Sequence, residues 1–321
     1  MGRQTLFAGA WDPGRAAPTL AAGVAIAVEE RMRDTELQRA RRIMAWVYGV
    51  ATVVAVIVAW PLADWHPLSR TALADVVATL VVFAGSRLFD NSSMYDPYWS
   101  VLPCALAVWH GLDAPADANG GRQLLVLALV LLWGLRLTYN FLRGWGGLSH
   151  EDWRYRDFRG SWGRWYWPGS LLGIHMFPTL MTWLGCLALL PAMRSSAPLG
   201  LVDVAAVAVT VTAIAIEALA DEQLLAFRRA HPQGGAICEV GLWARSRHPN
   251  YLGEVMFWVG LWLFAAAADS SAAGWTAIGP VAMIALFRFA SIPLAERRSL
   301  RRRPGYAERI KRVPAMLPRM W

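Results

Sequence analysis

Eight long apolar stretches limit what this chain can become: Ile43–Trp60, Thr71–Phe89, Pro97–Leu112, Leu124–Leu142, Pro168–Met193, Leu199–Leu219, Tyr251–Ala268 and Ala272–Pro293. A helix needs about 20 mostly apolar residues to cross the hydrocarbon core of a bilayer, and these stretches come near that length. The third is the weakest, being short and interrupted by Pro103 and His110. Leu, Val and Ala dominate the stretches without period-two alternation, which excludes a barrel. Only 17% of the 321 residues are charged, against about a quarter in a soluble chain. The 18 Trp fit the aromatic belts of membrane–water interfaces. The expected fold is an all-α integral membrane protein, a bundle of about eight transmembrane helices.

Arginine sets the topology. The basic clusters Arg31–Arg42, Arg143–Arg164, Arg228–Arg247 and Arg297–Arg319 are separated by four, two and two spans. Even counts place all four on one side, which the positive-inside rule makes cytoplasmic. Both termini are then cytoplasmic, and a bacterial inner membrane is the expected location. Residues 1–42 read as a cytoplasmic leader with a helix lying on the membrane, and residues 43–321 as one transmembrane domain. The net charge is +8, from 31 basic and 23 acidic residues, and Lys311 is the only lysine. With no basic stripe on a soluble fold, nucleic acid is not an expected partner. The arginine surplus suits a phosphate-rich anion, because the guanidinium fork pairs two phosphate oxygens at once. Cys104, Cys186 and Cys238 are too far apart in sequence to form a disulfide framework or a metal motif.

Ionisable residues inside a span cost a few kcal/mol each and mark functional sites by default. Arg136, Glu217, Asp221, Glu254 and Arg288 are of this kind, all toward the cytoplasmic ends of their spans. Glu217 and Asp221 are four apart, hence on one helical face, and Arg228 falls seven beyond Asp221. Asn250 and Glu254 repeat the spacing of four at the start of the seventh span. Two readings stand: interhelical hydrogen bonds that hold the bundle together, or a polar pocket open to the cytoplasm. Arg288 reads equally well as a snorkelling arginine. Asp75 and Asp203 lie near opposite ends of their spans, where they are expected to reach headgroups. His110 and His175, alone in apolar spans, read as hydrogen-bonded structural histidines.

The stretch Gly241-Leu242-Trp243-Ala244-Arg245-Ser246-Arg247-His248-Pro249-Asn250-Tyr251-Leu252-Gly253-Glu254 carries the most specific signal. Pro249 starts a helix with Asn250 in its first turn, where unpaired amides point outward. Arg245 and Arg247 stand just before it. The stretch resembles the C-terminal catalytic domain of the steroid 5-alpha-reductase superfamily, in its bacterial branch of unassigned substrate. The strings Tyr95-Asp96-Pro97-Tyr98-Trp99-Ser100, Arg136-Leu137-Thr138-Tyr139-Asn140 and Ser149-His150-Glu151-Asp152-Trp153-Arg154-Tyr155 support it. The resemblance covers roughly Arg87 to the C-terminus and implies a cytoplasm-facing cofactor pocket, built mainly by residues 124–321. It implies NADPH as cofactor, with Asn250, Tyr251 and Glu254 at the nicotinamide end. Asp221 and Arg228 would hold ribose and phosphate, Arg143, Arg245 and Arg247 the phosphates, and Glu296 and Tyr306 a tail closing over the adenosine. Glu217 stands where a relative has asparagine, and Arg136 matches an arginine three residues after a catalytic tyrosine.

The chain departs from that pattern where the proton donor belongs. Trp133 takes the place of the catalytic tyrosine, and the Gln-Glu pair facing the steroid carbonyl is absent. Tyr95-Asp96-Pro97-Tyr98 stands at the corresponding depth, and Tyr139 is three residues from Arg136, on its helical face. Asp96, Tyr98 and Tyr139 are therefore the candidate donors. The expected activity is NADPH-dependent reduction of a C=C bond conjugated to a carbonyl, on a hydrophobic lipid-like substrate taken from the bilayer. The alternative is an S-adenosylmethionine-dependent methyltransferase of the isoprenylcysteine or phospholipid type. Those enzymes share an Arg-His-Pro-x-Tyr-x-Gly string, which Arg247–Gly253 matches.

Overall fold

A computed structural model describes residues 20–317, all of whose regular elements are helical. The first 19 residues of the expected leader and residues 318–321 lie outside the described residues. The leader is not a separate surface helix over its described part. Helix α1 (Leu20–Ala59) runs unbroken for 40 residues, about 60 Å and twice the thickness of the hydrocarbon core. No proline or glycine pair interrupts residues 29–48, so the charged segment simply prolongs the first span.

Helices α2 (Pro67–Leu88), α3 (Tyr98–Leu112) and α4 (Gly120–Gly144) follow. α2 starts with Pro67 at its first position, and α4 with Asn119 accepting from the Arg122 amide at 3.1 Å. A short α5 (Trp153–Trp162) starts on Asp152, which accepts from the Arg154 amide at 2.9 Å. The fifth apolar stretch forms α6 (Tyr166–Gly169), a π-helical segment Ser170–Met176, α7 (Phe177–Cys186) and α8 (Leu189–Arg194). Next come α9 (Leu201–Ala230) and α10 (Pro249–Ala268), the latter starting at Pro249 as its sequence predicts. The last apolar stretch comprises α11 (Ala272–Thr276), α12 (Ile278–Leu286), a second π-helical segment Phe287–Ser291 and α13 (Ile292–Arg302). A final helix, α14 (Tyr306–Arg312), completes the described chain.

Among the described residues, six helical stretches are long and apolar enough to cross a membrane: Arg31–Leu62, Pro67–Leu88, Gly120–Gly144, Leu201–Ala230, Pro249–Ala268 and Ala272–Arg302. The chain is an integral membrane protein. The other two expected spans differ from simple crossings. α3 has 15 residues, about 22 Å of helix, and the Tyr166–Arg194 segment is interrupted by its π turn. Both nevertheless connect the same two ends of the bundle as their neighbours.

Polar ties mark those ends. At one, Asp113 pairs with Arg70 at 3.2 Å and with Arg194 at 2.9 Å. There Asp203 takes both forks of the fully buried Arg122, at 2.7 and 2.9 Å. Asp203 thus has a buried partner rather than headgroup contact. At the other end Arg41 donates to Leu142 O at 2.8 Å, and Asn91 donates to Leu148 O at 2.8 Å and His150 O at 3.0 Å. Asp75 is also buried, accepting from the Tyr98 hydroxyl at 2.7 Å. A short carboxylate cannot snorkel, so it is hydrogen-bonded inside the bundle. His175 bonds Ser170 O at 2.9 Å and Ser86 Oγ at 3.1 Å, whereas Nδ1 of the buried His110 finds no partner among the described residues. Arg288 is exposed and lies against Phe289.

The closest helix pair is α9 with α10. A Cβ placed on Gly253 would stand 2.7 Å from Glu217 Cβ and 2.9 Å from Ala213 O. Gly253 and Gly260, seven apart, therefore let the two backbones approach on one face. Against α10, Trp133 of α4 stacks on Phe257 with centroids 4.0 Å apart and meets Trp258 edge-on at 5.5 Å. Trp133, in the place of the family's tyrosine, is thus a core residue.

Candidate functional site

A cavity of about 800 Å³ lies at the end of the bundle away from Arg122 and Asp203. Its two ends differ in chemistry. Gly173, Ile174, Phe177 and Pro178 from one helix, with Leu286, Ala290 and Leu294 from another, make an apolar end. Further along that second helix come Arg298 and Arg302, and these with Arg228, Arg303, Asn250, Tyr306 and the Gly234-Gly235 backbone make a basic end, with Asp152 also in the wall. The two glycines are consecutive in the left-handed region, at φ 72° and 79°, so bare backbone approaches the cavity there.

Those four arginines have no carboxylate within ion-pair distance among the described residues, whereas Arg136, Arg143, Arg154, Arg159 and Arg247 all do. Arg298 instead covers the Trp153 ring at 4.1 Å. Four like charges on one cavity wall repel one another, and an anion with several oxygens relieves that repulsion.

The motif at the start of α10 reaches the cavity in part. Asn250 and Tyr251 line it, and the buried Asn250 Oδ1 has no hydrogen-bond partner among the described residues. Tyr251 stacks on His248 at 5.1 Å and leans on Phe287 at 4.7 Å. Arg247 also lines the cavity, held by Glu296 at 2.6 Å and by the carbonyls of Ile310 and Val313. The Arg247 and His248 amides donate to Pro314 O and Ala315 O at 3.0 and 2.9 Å. Buried Arg309 adds bonds to Glu239 and Trp243 O. The C-terminal tail is thereby stitched over the motif, with Tyr306 on the cavity wall and Glu296 behind it. Burial, and Glu296 behind that, push the Tyr306 hydroxyl upward from its ordinary range.

Glu254 stands one turn deeper than Asn250. It accepts from Trp258 Nε1 at 3.1 Å and is not part of the wall. Arg136 reaches Glu217 at 2.7 Å and Asp221 at 3.0 Å, and Asn140 donates to Asp221 at 3.1 Å. Arg143 is tied to Asn140 at 3.0 Å and to Glu222. Arg136, Glu217, Asp221 and Glu254 thus gather in one polar cluster between α4, α9 and α10, behind the cavity rather than in it. Arg245, at the end of the short helical turn Gly241–Ala244, is exposed and off the wall.

The three expected donors part company. Tyr139 is 64% exposed on the outside of α4. The functional face there runs from Arg136 to Asn140, four residues on, and leaves Tyr139 turned outward. Tyr98 is buried beneath Tyr95, with centroids 5.0 Å apart, and does not reach the wall. Asp96 also lies behind the wall, but it accepts a very short hydrogen bond from the hydroxyl of Tyr155, which does line the cavity. Arg154 stands 3.6 Å from the same carboxyl oxygen. Burial pushes the Asp96 carboxyl up to about 6, with the Arg154 guanidinium pulling the other way. The loops carrying Asp96 and Tyr155 are fixed together, since the Ser92 amide donates to Glu151 and the Asp152 amide to Ser93 Oγ, both at 2.8 Å.

Sequence reasoning missed Tyr155, Arg298, Arg302, Arg303 and the Gly234-Gly235 turn. Tyr155 closes the Ser149–Tyr155 string, which was quoted without a role for that residue. Arg298 and Arg302 are four apart and so share a helical face, a signal hidden within a run that also suits a membrane anchor.

The family described as "Protein of unknown function (DUF1295)" matches residues 81–313. An uncharacterized protein of the fission yeast Schizosaccharomyces pombe is 29% identical over 280 residues, covering 79% of this chain and 80% of the yeast protein. No solved structure matches the chain.

Proposed function

The chain belongs to the DUF1295 family, a steroid 5-alpha-reductase-like family, and from that premise we propose that it is an NADPH-dependent membrane reductase. Its reaction is reduction of a C=C bond conjugated to a carbonyl in an apolar, lipid-like substrate. The observation that carries this reading is one cavity with four arginines, unpaired among the described residues, toward one end and helix-borne apolar walls toward the other. One end suits a polyphosphate and the other a hydrocarbon.

The residues present fit the cofactor. Arg228, Arg302 and Arg303, with the bare Gly234-Gly235 backbone, would hold phosphates, and the free Asn250 Oδ1 is an acceptor suited to a carboxamide N–H. Arg247 and Tyr306 would close the adenosine side. The Arg136–Glu217–Asp221–Glu254 cluster lies behind the cavity, with Glu254 one turn along α10 from Asn250. When bound, the dinucleotide supplies a hydride to the β-carbon.

The chain's own part is to polarise the carbonyl and deliver a proton. Tyr155 is the acid that reaches the cavity. When Asp96 is protonated it donates to the Tyr155 oxygen, which frees the phenolic O–H to point at the substrate oxygen. The phenol then stabilises the charge developing there, and the carboxyl restores the phenol's proton. Asp96, one of the donors expected from sequence, thus acts through Tyr155.

The membrane topology belongs to the same reading. Eight segments cross the bilayer, with the cavity end and both termini in the cytoplasm. Reporter fusions after Arg42, Gly163, Gln233 and Trp321 then all report cytoplasm. Equilibrium binding of NADPH and of S-adenosylmethionine to detergent-purified protein tests the reaction class. NADPH binding is the expected result, and binding of S-adenosylmethionine alone makes the chain a methyltransferase instead.

A further inference from the structure

The two π-helical segments among the described residues, Ser170–Met176 and Phe287–Ser291, stand at the same cavity. Gly173 and Ile174 belong to the first and Ala290 and Ser291 to the second, and all four line it. Such turns widen a helix locally and recur at functional sites. Gly173, Phe177 and Ala290 are on the cavity wall and solvent-accessible, and their chain neighbours Leu172 and Phe289, which are off the wall, are exposed too. Further from the cavity the same two helices are in close contact, since a Cβ on Gly279 would stand 2.7 Å from Leu184 O. The pair therefore packs tightly around Gly185 and Gly279 and is looser around Gly173 and Ala290.

Depth decides what that outside is. Gly173 and Phe177 follow Trp167 by six and ten residues, roughly 9 and 15 Å along a helix. Ala290 precedes the arginine run at Arg297 by seven residues, about 10 Å. With Trp167 and Arg297 at the interface, the gap lies inside the hydrocarbon layer, where water and free cofactors do not approach it. Leu172 and Phe289 flank it, 67% and 76% exposed, as lipid-facing side chains.

We propose that the gap between Ser170–Met176 and Phe287–Ser291 is a lateral portal through which the hydrocarbon tail of a membrane lipid enters the cavity. The occupant is an apolar tail because the cavity residues beside the gap, Ile174, Pro178, Leu286 and Leu294, are apolar, while Arg298 and Arg302 come one and two turns beyond Leu294 along its helix. Taking this tail as the substrate's anchor rests on the reductase reading; the portal itself does not. The reactive head would then meet Tyr155, and the tail would remain between the helices.

The test uses full-length protein in phosphatidylglycerol vesicles containing phosphatidylcholine with a diazirine midway along one acyl chain. After illumination, mass spectrometry maps the labelled residues. Leu172 and Phe289 are labelled by surrounding lipid in any case. The portal predicts additional labelling at Ile174 and Pro178, which are buried from the outer surface. Gly173→Trp and Ala290→Trp fill the gap and should reduce that inner labelling at least tenfold while leaving NADPH affinity within twofold. Leu180→Trp and Val281→Trp, on outward faces of the same helices, should leave it unchanged. Unlabelled Ile174 and Pro178 in the wild type overturn the proposal, as does inner labelling that persists in both plugged variants. Inner labelling in a protein that does not bind NADPH would retain the portal and reject the reductase reading.

Discussion

Replacing Tyr155 by Phe removes one hydroxyl from the cavity wall and leaves the ring in place. Two effects follow, and they separate. For turnover, loss of a general acid costs about 100- to 10,000-fold, while NADPH affinity should stay within about twofold because the phosphate and carboxamide partners are other residues. For Asp96, the variant removes the hydrogen bond to a buried carboxyl, about 1–3 kcal/mol of stability, with Arg154 at 3.6 Å remaining as a partner. The wild-type pH profile follows from Asp96, whose carboxyl titrates at about 6. The protonated fraction is about nine-tenths at pH 5 and about one-tenth at pH 7, so turnover should fall nearly tenfold across that interval and about tenfold per unit above it. Asp96→Asn should be slow and flat over the same range. The assay is single-turnover oxidation of bound NADPH, followed by absorbance from pH 5 to 9 with a long-chain 2-alkenone in proteoliposomes. A Tyr155→Phe enzyme at wild-type rate, or a wild-type profile rising from pH 5 to 7, refutes the assignment of the donor.

Three further outcomes follow from the same geometry. Arg303→Gln should weaken NADPH binding by roughly 10- to 150-fold, the scale of a lost charged hydrogen bond, and Asn250→Ala by roughly 2- to 12-fold, the scale of a neutral one, whereas exposed Arg245→Gln should change it less than twofold; titration calorimetry compares them. Asp203→Asn leaves a fully buried guanidinium without its charge partner and should cost about 3–5 kcal/mol, read as a lower unfolding temperature in detergent. Because the folded state holds the Asp96 proton up to about 6 against an ordinary value of 3.8, ionisation opposes folding. Wild-type stability should therefore decline as pH rises, by about 2 kcal/mol from pH 4 to 6 and about 3 kcal/mol over the whole transition, and a denaturation series on Asp96→Asn should lack that decline.

The spans were legible because they rest on a long-range average. Each of the six clear ones presents an apolar run that no local detail reverses. The start of α10 was legible for a different reason, since Pro249 has no N–H to give and therefore belongs at a helix start. What failed was direction. Periodicity places Tyr139 within 60° of Arg136 but does not say on which flank the bundle lies, and Asn140 shows that it lies on the other. Depth along the helix likewise does not distinguish an aspartate reaching a headgroup from one with a buried partner. Arg122 and Tyr98, the partners of Asp203 and Asp75, are 81 and 23 residues away in sequence. The cavity's Tyr155 was hidden for the same reason, its carboxyl partner being 59 residues earlier.

Pairing, more than position, divides the arginines of this chain by task. Arg122 is consumed by Asp203, and Arg136 by Glu217 and Asp221; their charges are neutralised where they stand, so they stiffen the bundle and attract nothing from outside. Arg247 is paired with Glu296 yet also gathers carbonyls from the C-terminal segment, so it serves to hold that segment over the motif. On the cavity wall Arg228, Arg298, Arg302 and Arg303 gather with no carboxylate in ion-pair reach among the described residues. A folded protein keeps such an arrangement at a cost in repulsion, and solvent ions compensate it poorly when one flank of the cavity is apolar and low in dielectric. The same low dielectric strengthens their attraction for a polyphosphate once it displaces water. An apolar wall therefore does two things here: it receives a hydrocarbon, and it raises the affinity of the arginines beyond it. Filling that apolar end with Gly173→Trp displaces water without removing a charge, which is why the plugged variant should bind NADPH no more weakly than the wild type.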